Sequence, residues 1–248
     1  MNNTLFHILL AAIPAIVAIT LHEAAHGYAA WALGDDTAKR EGRLSLNPLA
    51  HVDRVGTIIL PGFLILFQLI TLGRVGFLFG WAKPVPVAAW KFANPRRGMM
   101  LVAAAGPVMN FFLAWLGALA LHPILTMVDD SAPASFGTGT ILALLAQYFI
   151  LSNLVLGLFN LLPIPPLDGG RIAVGLLPLP LAKLWARFER AGILIVILLV
   201  FLLPRALAEF NIAFNPVGDA LDAVIPWAMH VILSLAGFSG DAGDVLAL

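Results

Sequence analysis

The pattern of this chain is a series of long apolar runs separated by shorter polar segments. Five runs reach or approach the length of about 20 residues that a helix needs to cross a bilayer. A helix satisfies its own backbone hydrogen bonds, as the hydrocarbon core requires. We therefore predict five spanning helices, at residues 5–33, 98–121, 140–162, 191–203 and 216–236.

A sixth apolar stretch, residues 56–80, is interrupted by Pro61, Gly62, Gly73 and Gly76. The interruptions leave pieces that are too short to cross a bilayer. Irregular backbone is tolerated at membrane depth where protein buries it. We therefore predict that this stretch re-enters the membrane or lies at its interface.

Lysine and arginine are concentrated in segments 34–55, 83–97 and 171–190, which hold four each, whereas segment 122–138 holds none. Cytoplasmic loops carry the excess of these residues. We therefore expect the basic segments on the cytoplasmic side of the cell (inner) membrane and the N-terminus outside. Segments 34–55 and 83–97 then lie on the same side of the membrane. This placement requires that the stretch 56–80 between them does not cross the membrane as a single span.

Residues 43–47 alternate between polar and apolar side chains, which predicts a short strand that ends before Pro48. A second short strand is expected near 84–88. The predicted fold is thus an all-α polytopic membrane protein, with about five transmembrane helices, a re-entrant or interfacial segment and short strands. We expect residues 1–248 to form a single integral-membrane domain, with a core at 5–172 and accessory helices at 184–237.

Composition narrows the possible partners. Hydrophobic residues make up 60% of the chain and charged residues 11%, whereas a soluble domain carries about 25% charged residues. The lipid bilayer is therefore the expected environment. The formal net charge is zero, which gives no reason to expect a nucleic-acid partner. The absence of cysteine excludes disulfides, thiolate metal ligands and a cysteine nucleophile.

The first apolar run contains three ionisable side chains within one helical turn, His22, Glu23 and His26. Positions i and i+4 lie on the same face of a helix, so both imidazoles can bind one zinc ion. Glu23 can then reach a water on that metal and take its proton. A carboxylate at membrane depth costs about 2.5–3.5 kcal/mol or more, which argues against a chance match.

A catalytic zinc ion usually has three protein ligands and one open position. Since cysteine is absent, the third ligand must be Asp, Glu or His, and Asp168 is the best candidate. It follows the helix predicted at 140–162, which the topology brings to the same side as His26. The alternative is that Leu167-Asp168-Gly169 forms an ordinary turn.

Three segments together resemble the site-2 proteases, a family of intramembrane zinc metalloproteases. These segments are His-Glu-Ala-Ala-His at 22–26, Gly-Pro-Val-Met-Asn at 106–110 and Asn-Leu-Leu-Pro-Ile-Pro-Pro-Leu-Asp-Gly at 160–169. Residues 80–87 are similar to a segment of the compact bacterial members. The sequence shows neither a PDZ nor a CBS domain, so the compact form of the family is the expected one, with a site-2 protease-like core.

The resemblance implies roles for five residues. In the family, the two histidines and the aspartate of the Leu-Asp-Gly motif bind zinc, the glutamate is catalytic and the asparagine eight residues before the aspartate assists. We therefore expect one Zn²⁺ per chain at His22, His26 and Asp168, with Glu23 and Asn160 as catalytic residues.

The expected substrate is a transmembrane segment of another protein, cleaved within or near the membrane in regulated intramembrane proteolysis. A helical substrate hides its amides, so it must unwind, and the strand predicted at 43–47 could hold it extended by edge pairing. For Asn110, an interhelical hydrogen bond is an equal alternative to a functional role, and for Asn153 it is the preferred interpretation. The candidate substrate-binding residues are Arg43, Leu44, Ser45, Leu46 and Asn110.

Two other functions are alternatives to proteolysis. A metal transporter also places histidines and carboxylates within the membrane, but it predicts ligands on facing sides of a pore and a sequence repeat. The sequence shows neither of these features. A proteolytically inactive membrane scaffold would have no need for an intact set of His22, Glu23, His26 and Asp168.

Overall fold

The computed structural model describes residues 2–73, 80–128 and 137–239. These residues form helices and connecting loops. A π-helical turn at Arg54–Ile59 precedes α3, and another at Leu198–Leu202 joins α8 to α9. The α-helices are α1 (Asn2–Ala32), α2 (Thr37–Arg40), α3 (Leu60–Leu72), α4 (Pro95–Leu125), α5 (Thr138–Leu161), α6 (Asp168–Leu176), α7 (Leu179–Arg187), α8 (Gly192–Ile197), α9 (Leu203–Ala208) and α10 (Pro216–Leu235).

Four helices of the described residues are long and apolar enough to cross a membrane, namely α1 from Leu9 onward, α4, α5 and α10. These helices confirm four of the five predicted runs. The remaining run, 191–203, forms no straight span. It belongs to the helices of Gly192–Ala208, which meet Leu179–Arg187 at a bend of 77°. Counted as one broken span, this bent pair brings the number of spans to five. The chain is a multi-pass membrane protein.

Helix α4 lies at the centre of the fold and contacts α1, α5, α6 and α10. Small residues line its buried face, which lets neighbouring helices approach closely. The clearest case is Gly117, where a Cβ atom would lie 2.9 Å from the Phe149 ring of α5. Next to this contact, Leu121, Ile150 and Leu154 are fully buried. The small residues of the buried face are Gly98, Ala103, Gly106, Ala114, Gly117 and Ala118.

The segment predicted to re-enter the membrane begins as a helix. Asp53 caps it by accepting hydrogen bonds from the backbone N–H groups of Val55 and Gly56, at 2.9 and 2.6 Å. The apolar helix Arg54–Ile70 is shorter than the length of about 20 residues that a span needs. Residues 74–79 lie outside the described residues, so the re-entrant course stays a prediction.

The strands predicted at 43–47 and 84–88 are not formed. Two of the five residues in the second segment are prolines, which have no backbone N–H to donate to a ladder. The N–H groups of Val85 and Ala88 donate to side-chain carboxylates, at 3.2 and 2.6 Å. The donors that a ladder needs are therefore missing or already used, and the segment stays a loop.

Candidate metal centre

Helix α1 presents both histidines on one face. His22 and His26 are one turn apart, and their imidazole planes are nearly perpendicular, at 89°, with ring centroids 4.7 Å apart. Their Nε2 atoms lie 3.1 Å from each other. His22 is buried and His26 is half-buried. The i, i+4 spacing thus brings two nitrogen atoms to one point, as the sequence predicts.

The third group arrives from the start of α6. Asp168 is the first residue of this helix and is buried. Its Oδ2 atom lies 3.1 Å from Nε2 of His22 and 3.3 Å from Nε2 of His26. At Gly169, a Cβ atom would collide with the backbone carbonyls at the end of α5. A glycine here therefore allows α6 to fold back on α5 and places Asp168 opposite the histidines.

The three atoms form a triangle with the dimensions of a zinc site. Zn–N and Zn–O bonds of about 2.0–2.1 Å and tetrahedral angles place neighbouring ligand atoms about 3.3–3.4 Å apart. The edges of the triangle are 3.1, 3.1 and 3.3 Å. Oδ2 of Asp168 is buried and receives no hydrogen bond, an arrangement that is costly unless a cation is bound. The residues therefore fit a zinc ion.

Helix α4 orients both imidazoles. The Nδ1 atom of His22 lies 2.6 Å from Oδ1 of Asn110, and Nδ1 of His26 lies 2.7 Å from the carbonyl oxygen of Val102. Both partners are acceptors, so each Nδ1 carries a proton. In the neutral imidazole, Nε2 then has a free lone pair. Three lone pairs therefore converge, and a carboxylate–histidine or carbonyl–histidine contact of this kind is typical of metal ligands.

The sequence analysis leaves two roles open for Asn110, an interhelical hydrogen bond and a contact with the substrate. In the structure it is fully buried and bonds across helices to His22 and Asn153. The interhelical bond predicted for Asn153 is thereby confirmed. The burial of Asn110 leaves no surface for a substrate, so its side chain positions His22 instead.

Glu23 lies beside the triangle but is not part of it. Its Oε2 atom accepts a hydrogen bond of 3.2 Å from the backbone N–H of Val85, and the residue is half-buried. The loop that carries Val85 approaches α1 closely at Gly27, where a Cβ atom would lie 2.6 Å from Leu44 and 3.2 Å from Val85. The carboxylate is thus held by this loop and is not one of the three groups whose ligand atoms converge.

The predicted substrate-binding residues of 43–46 have different surroundings. Arg43 is buried, and its guanidinium donates to the carbonyl oxygens of Ala50, Lys83 and Pro84. The Arg43 side chain therefore links the loop that contains Ala50 to the loop that contains Lys83 and Pro84. Its three neighbours remain candidates for contact with a substrate: Leu44 and Ser45 are half-buried and Leu46 is exposed.

Asp35, which follows the end of α1, is a residue of this region that the sequence analysis did not identify. It is fully buried, and its Oδ2 atom accepts a hydrogen bond of 2.6 Å from the N–H of Ala88. Burial raises the pKa of Asp35, but hydrogen bonds from Thr37, Ala88 and Lys91 outweigh this effect and lower the pKa to about 2. The charged carboxylate fixes the loop that also holds Glu23.

Asn160, predicted to be catalytic, points along its own helix. Its Nδ2 atom donates to the carbonyl oxygen of Leu156 at 2.9 Å, and the residue is half-buried. Its role in catalysis stays a prediction.

Comparison with known proteins gives the family. The family model described as Peptidase family M50 matches residues 120–203. The chain is 43% identical over 192 residues to "Putative zinc metalloprotease YwhC" of Bacillus subtilis, covering 76% of this chain and 78% of that protein. It is 34% identical over 191 residues to "Putative zinc metalloprotease Rip2" of Mycolicibacterium smegmatis, covering 75% and 64%. No solved structure matches. The chain therefore belongs to peptidase family M50, the site-2 protease family.

Proposed function

We propose that this protein is an intramembrane zinc metalloprotease that hydrolyses peptide bonds within or near the transmembrane segments of other membrane proteins. The observation that carries the proposal is the triangle of lone-pair donors from His22, His26 and Asp168, with the carboxylate of Glu23 beside it. The printed names of the two relatives, both of which begin "Putative zinc metalloprotease", support it.

The roles of the residues follow from their positions. A zinc ion held by His22, His26 and Asp168 would polarise the scissile carbonyl and make a water more acidic. Glu23 takes the proton of the attacking water and returns it to the leaving amine. The hydrogen bond from the N–H of Val85 fixes the Glu23 carboxylate for this transfer. Asn160 is assigned to the stabilisation of the oxyanion by hydrogen bonding.

The depth of the site supports a transmembrane substrate. His22 is ten residues before the end of α1 at Ala32, which corresponds to about 15 Å along the helix. The substrate unwinds locally to expose a peptide bond, and residues 44–46 contact the unwound segment. We place the protein in the cell (inner) membrane, with the N-terminus outside and the site nearer the cytoplasmic face, in agreement with the distribution of lysine and arginine.

Metal content tests the ligand set. We expect the purified protein to contain one zinc ion per chain and Asp168→Ala to retain less than roughly a tenth of it, because two histidines alone leave the site incomplete. Elemental analysis after dialysis against a weak chelator measures the ratio. Asp222→Ala, which removes an exposed carboxylate elsewhere, is the control and should keep the parental content. An Asp168→Ala protein with parental zinc and activity would show that the third ligand is another residue.

Topology is tested by labelling single cysteines, since the chain has none of its own. Glu41→Cys, Ala93→Cys and Met127→Cys lie at exposed positions. We expect a membrane-impermeant maleimide to label positions 41 and 93 from the cytoplasmic side of sealed vesicles and position 127 from the opposite side, because α4 crosses between the last two. Labelling of positions 41 and 93 from opposite sides would contradict the assignment and show that the segment between them crosses the membrane once.

A further inference from the structure

Two asparagine side chains extend from the candidate metal centre into the interface between α4 and α5. Asn110 and Asn153 are both fully buried in helices that are long enough to span the membrane. Oδ1 of Asn110 lies 2.6 Å from Nδ1 of His22, and Nδ2 of Asn110 lies 2.9 Å from Oδ1 of Asn153. Nδ2 of Asn153 lies 2.8 Å from the carbonyl oxygen of Phe149. The four groups form one continuous chain of hydrogen bonds.

The far end of this chain determines its direction. The carbonyl of Phe149 can only accept a hydrogen bond, so the nitrogen of Asn153 must face it. The oxygen of Asn153 then faces Asn110, which must turn its own nitrogen toward Asn153 and its oxygen toward His22. A second acceptor, the carbonyl of Ala18 at 3.4 Å from Nδ2 of Asn110, favours the same orientation. Each amide is therefore held in one of its two orientations.

The near end of the chain determines the state of His22. Since Asn110 presents an oxygen, Nδ1 of His22 must donate, and the neutral ring keeps its lone pair on Nε2. That atom is the one that lies 3.1 Å from both Nε2 of His26 and Oδ2 of Asp168. We infer that Asn153 is a positioning residue of the metal centre: by orienting the Asn110 amide, it selects the tautomer of His22 that can bind zinc. The inference rests on the proposed function.

Loss of Asn153 would remove the shorter of the two contacts that orient the Asn110 amide and leave only the 3.4 Å contact with Ala18. The Asn110 amide could then rotate and present its nitrogen to His22, so that Nδ1 accepts and the proton moves to Nε2. To bind zinc, the Asn110 amide would have to rotate back and the proton would have to return to Nδ1 of His22. Outer-shell changes of this kind typically reduce metal affinity about 10–100-fold. His26 is an internal reference, because its partner is the backbone carbonyl of Val102, which cannot rotate in this way.

Three variants separate this role from a structural one. Asn153→Leu removes the acceptor for Asn110 while keeping the branching and the number of heavy atoms of the side chain. Asn153→Asp is the rescue, because burial favours the neutral acid, whose carbonyl accepts from Asn110 and whose hydroxyl donates to Phe149. Tyr148→Phe is the matched control, since it removes another hydrogen bond between α1 and α5, the 2.9 Å contact of its hydroxyl with His7, without touching the chain of amides.

Two measurements on the purified protein test whether Asn153 positions the metal centre. Competition with a chromogenic chelator gives zinc affinity, and we expect Asn153→Leu to lower it by about 10–100-fold, with Asn153→Asp and Tyr148→Phe close to the parent. ¹⁵N NMR of the zinc-free protein, which has six histidines, gives the tautomers. We expect His22 to change from the Nδ1–H form to a mixture in Asn153→Leu, while His26 does not change.

The inference is overturned if Asn153→Leu keeps the His22 tautomer and the parental zinc affinity, or if Tyr148→Phe loses as much affinity as Asn153→Leu. A parent protein that binds no zinc would instead contradict the proposed function. The tautomer of His22 would still decide the role of Asn153 in that case, since it is measured without metal and without proteolysis.

Discussion

Glu23→Gln is expected to lose peptide-bond cleavage while it keeps its fold and its zinc. Glutamine has the same shape and retains an oxygen that can accept the N–H of Val85, which bonds Glu23 at 3.2 Å. It cannot take a proton from the attacking water. General acid–base catalysis contributes about 10²–10⁴-fold, and the loss should reach or exceed this range because Glu23 serves first as base and then as acid. Cleavage of a transmembrane reporter in proteoliposomes, together with zinc analysis, measures the effect.

This variant also separates the protease from the two other functions. In a metal transporter or an inactive scaffold, a carboxylate that is not a ligand could be replaced without loss of function. Glu41→Gln, at an exposed position outside the site, controls for the change in charge and should cleave at the parental rate. A Glu23→Gln protein that binds zinc and cleaves as fast as its parent would refute the mechanism. Loss of both zinc and folding would show a structural role for Glu23.

Gly106→Ala is expected to remove most zinc binding without altering any ligand. A Cβ atom at this position would lie 2.5 Å from Cε1 of His22, 2.6 Å from its Nε2 and 2.6 Å from Cε1 of His26. Both imidazoles would have to move, since the added atom belongs to a rigid helix packed against α1. Their lone pairs would then no longer converge with Asp168. The loss of affinity should exceed the roughly 10–100-fold of an outer-shell change.

The control for this substitution is Gly62→Ala in α3, where an added Cβ atom has nothing within 4 Å. Alanine is favoured over glycine in a helix by about 1 kcal/mol, so this control should keep its zinc and its thermal stability. Zinc titration and thermal unfolding in detergent distinguish the two variants. Parental zinc affinity in Gly106→Ala would mean that α1 and α4 are farther apart at the site than the structure has them.

The helices that carry the site were largely predictable from apolar runs. The prediction of 98–121 for α4 is nevertheless shorter than Pro95–Leu125. The sequence predicts a later start because Arg96 and Arg97 interrupt the apolar run. Local signals for an earlier start were present, however. Asn94 caps the helix by accepting from the N–H of Arg97 at 3.1 Å, and proline follows it at the first helical position, where it is favoured.

The ligand candidates could be predicted because two of them lie on one helix turn and the third follows a recognisable turn motif. Their supporting contacts could not. The partner of His22 is 88 residues away in the sequence, and that of Glu23 is 62 residues away. No periodicity relates such positions; packing of α4 and of the loop against α1 creates the contacts. The predicted strand at 84–88 failed for the same reason, since distant carboxylates use its backbone donors.

The uneven exposure of the centre has a consequence for the supply of water. Each hydrolysis consumes one water molecule, which must reach a site about 15 Å from the end of α1. His22 and Asp168 are buried, whereas Glu23 and His26 are half-buried, so the side of the centre that protein leaves open is the one that carries the proton acceptor. The entering water and the proton acceptor Glu23 then lie on the same face of the metal centre. A bilayer or detergent that excludes water from this face would slow hydrolysis, although all three metal ligands would remain in place.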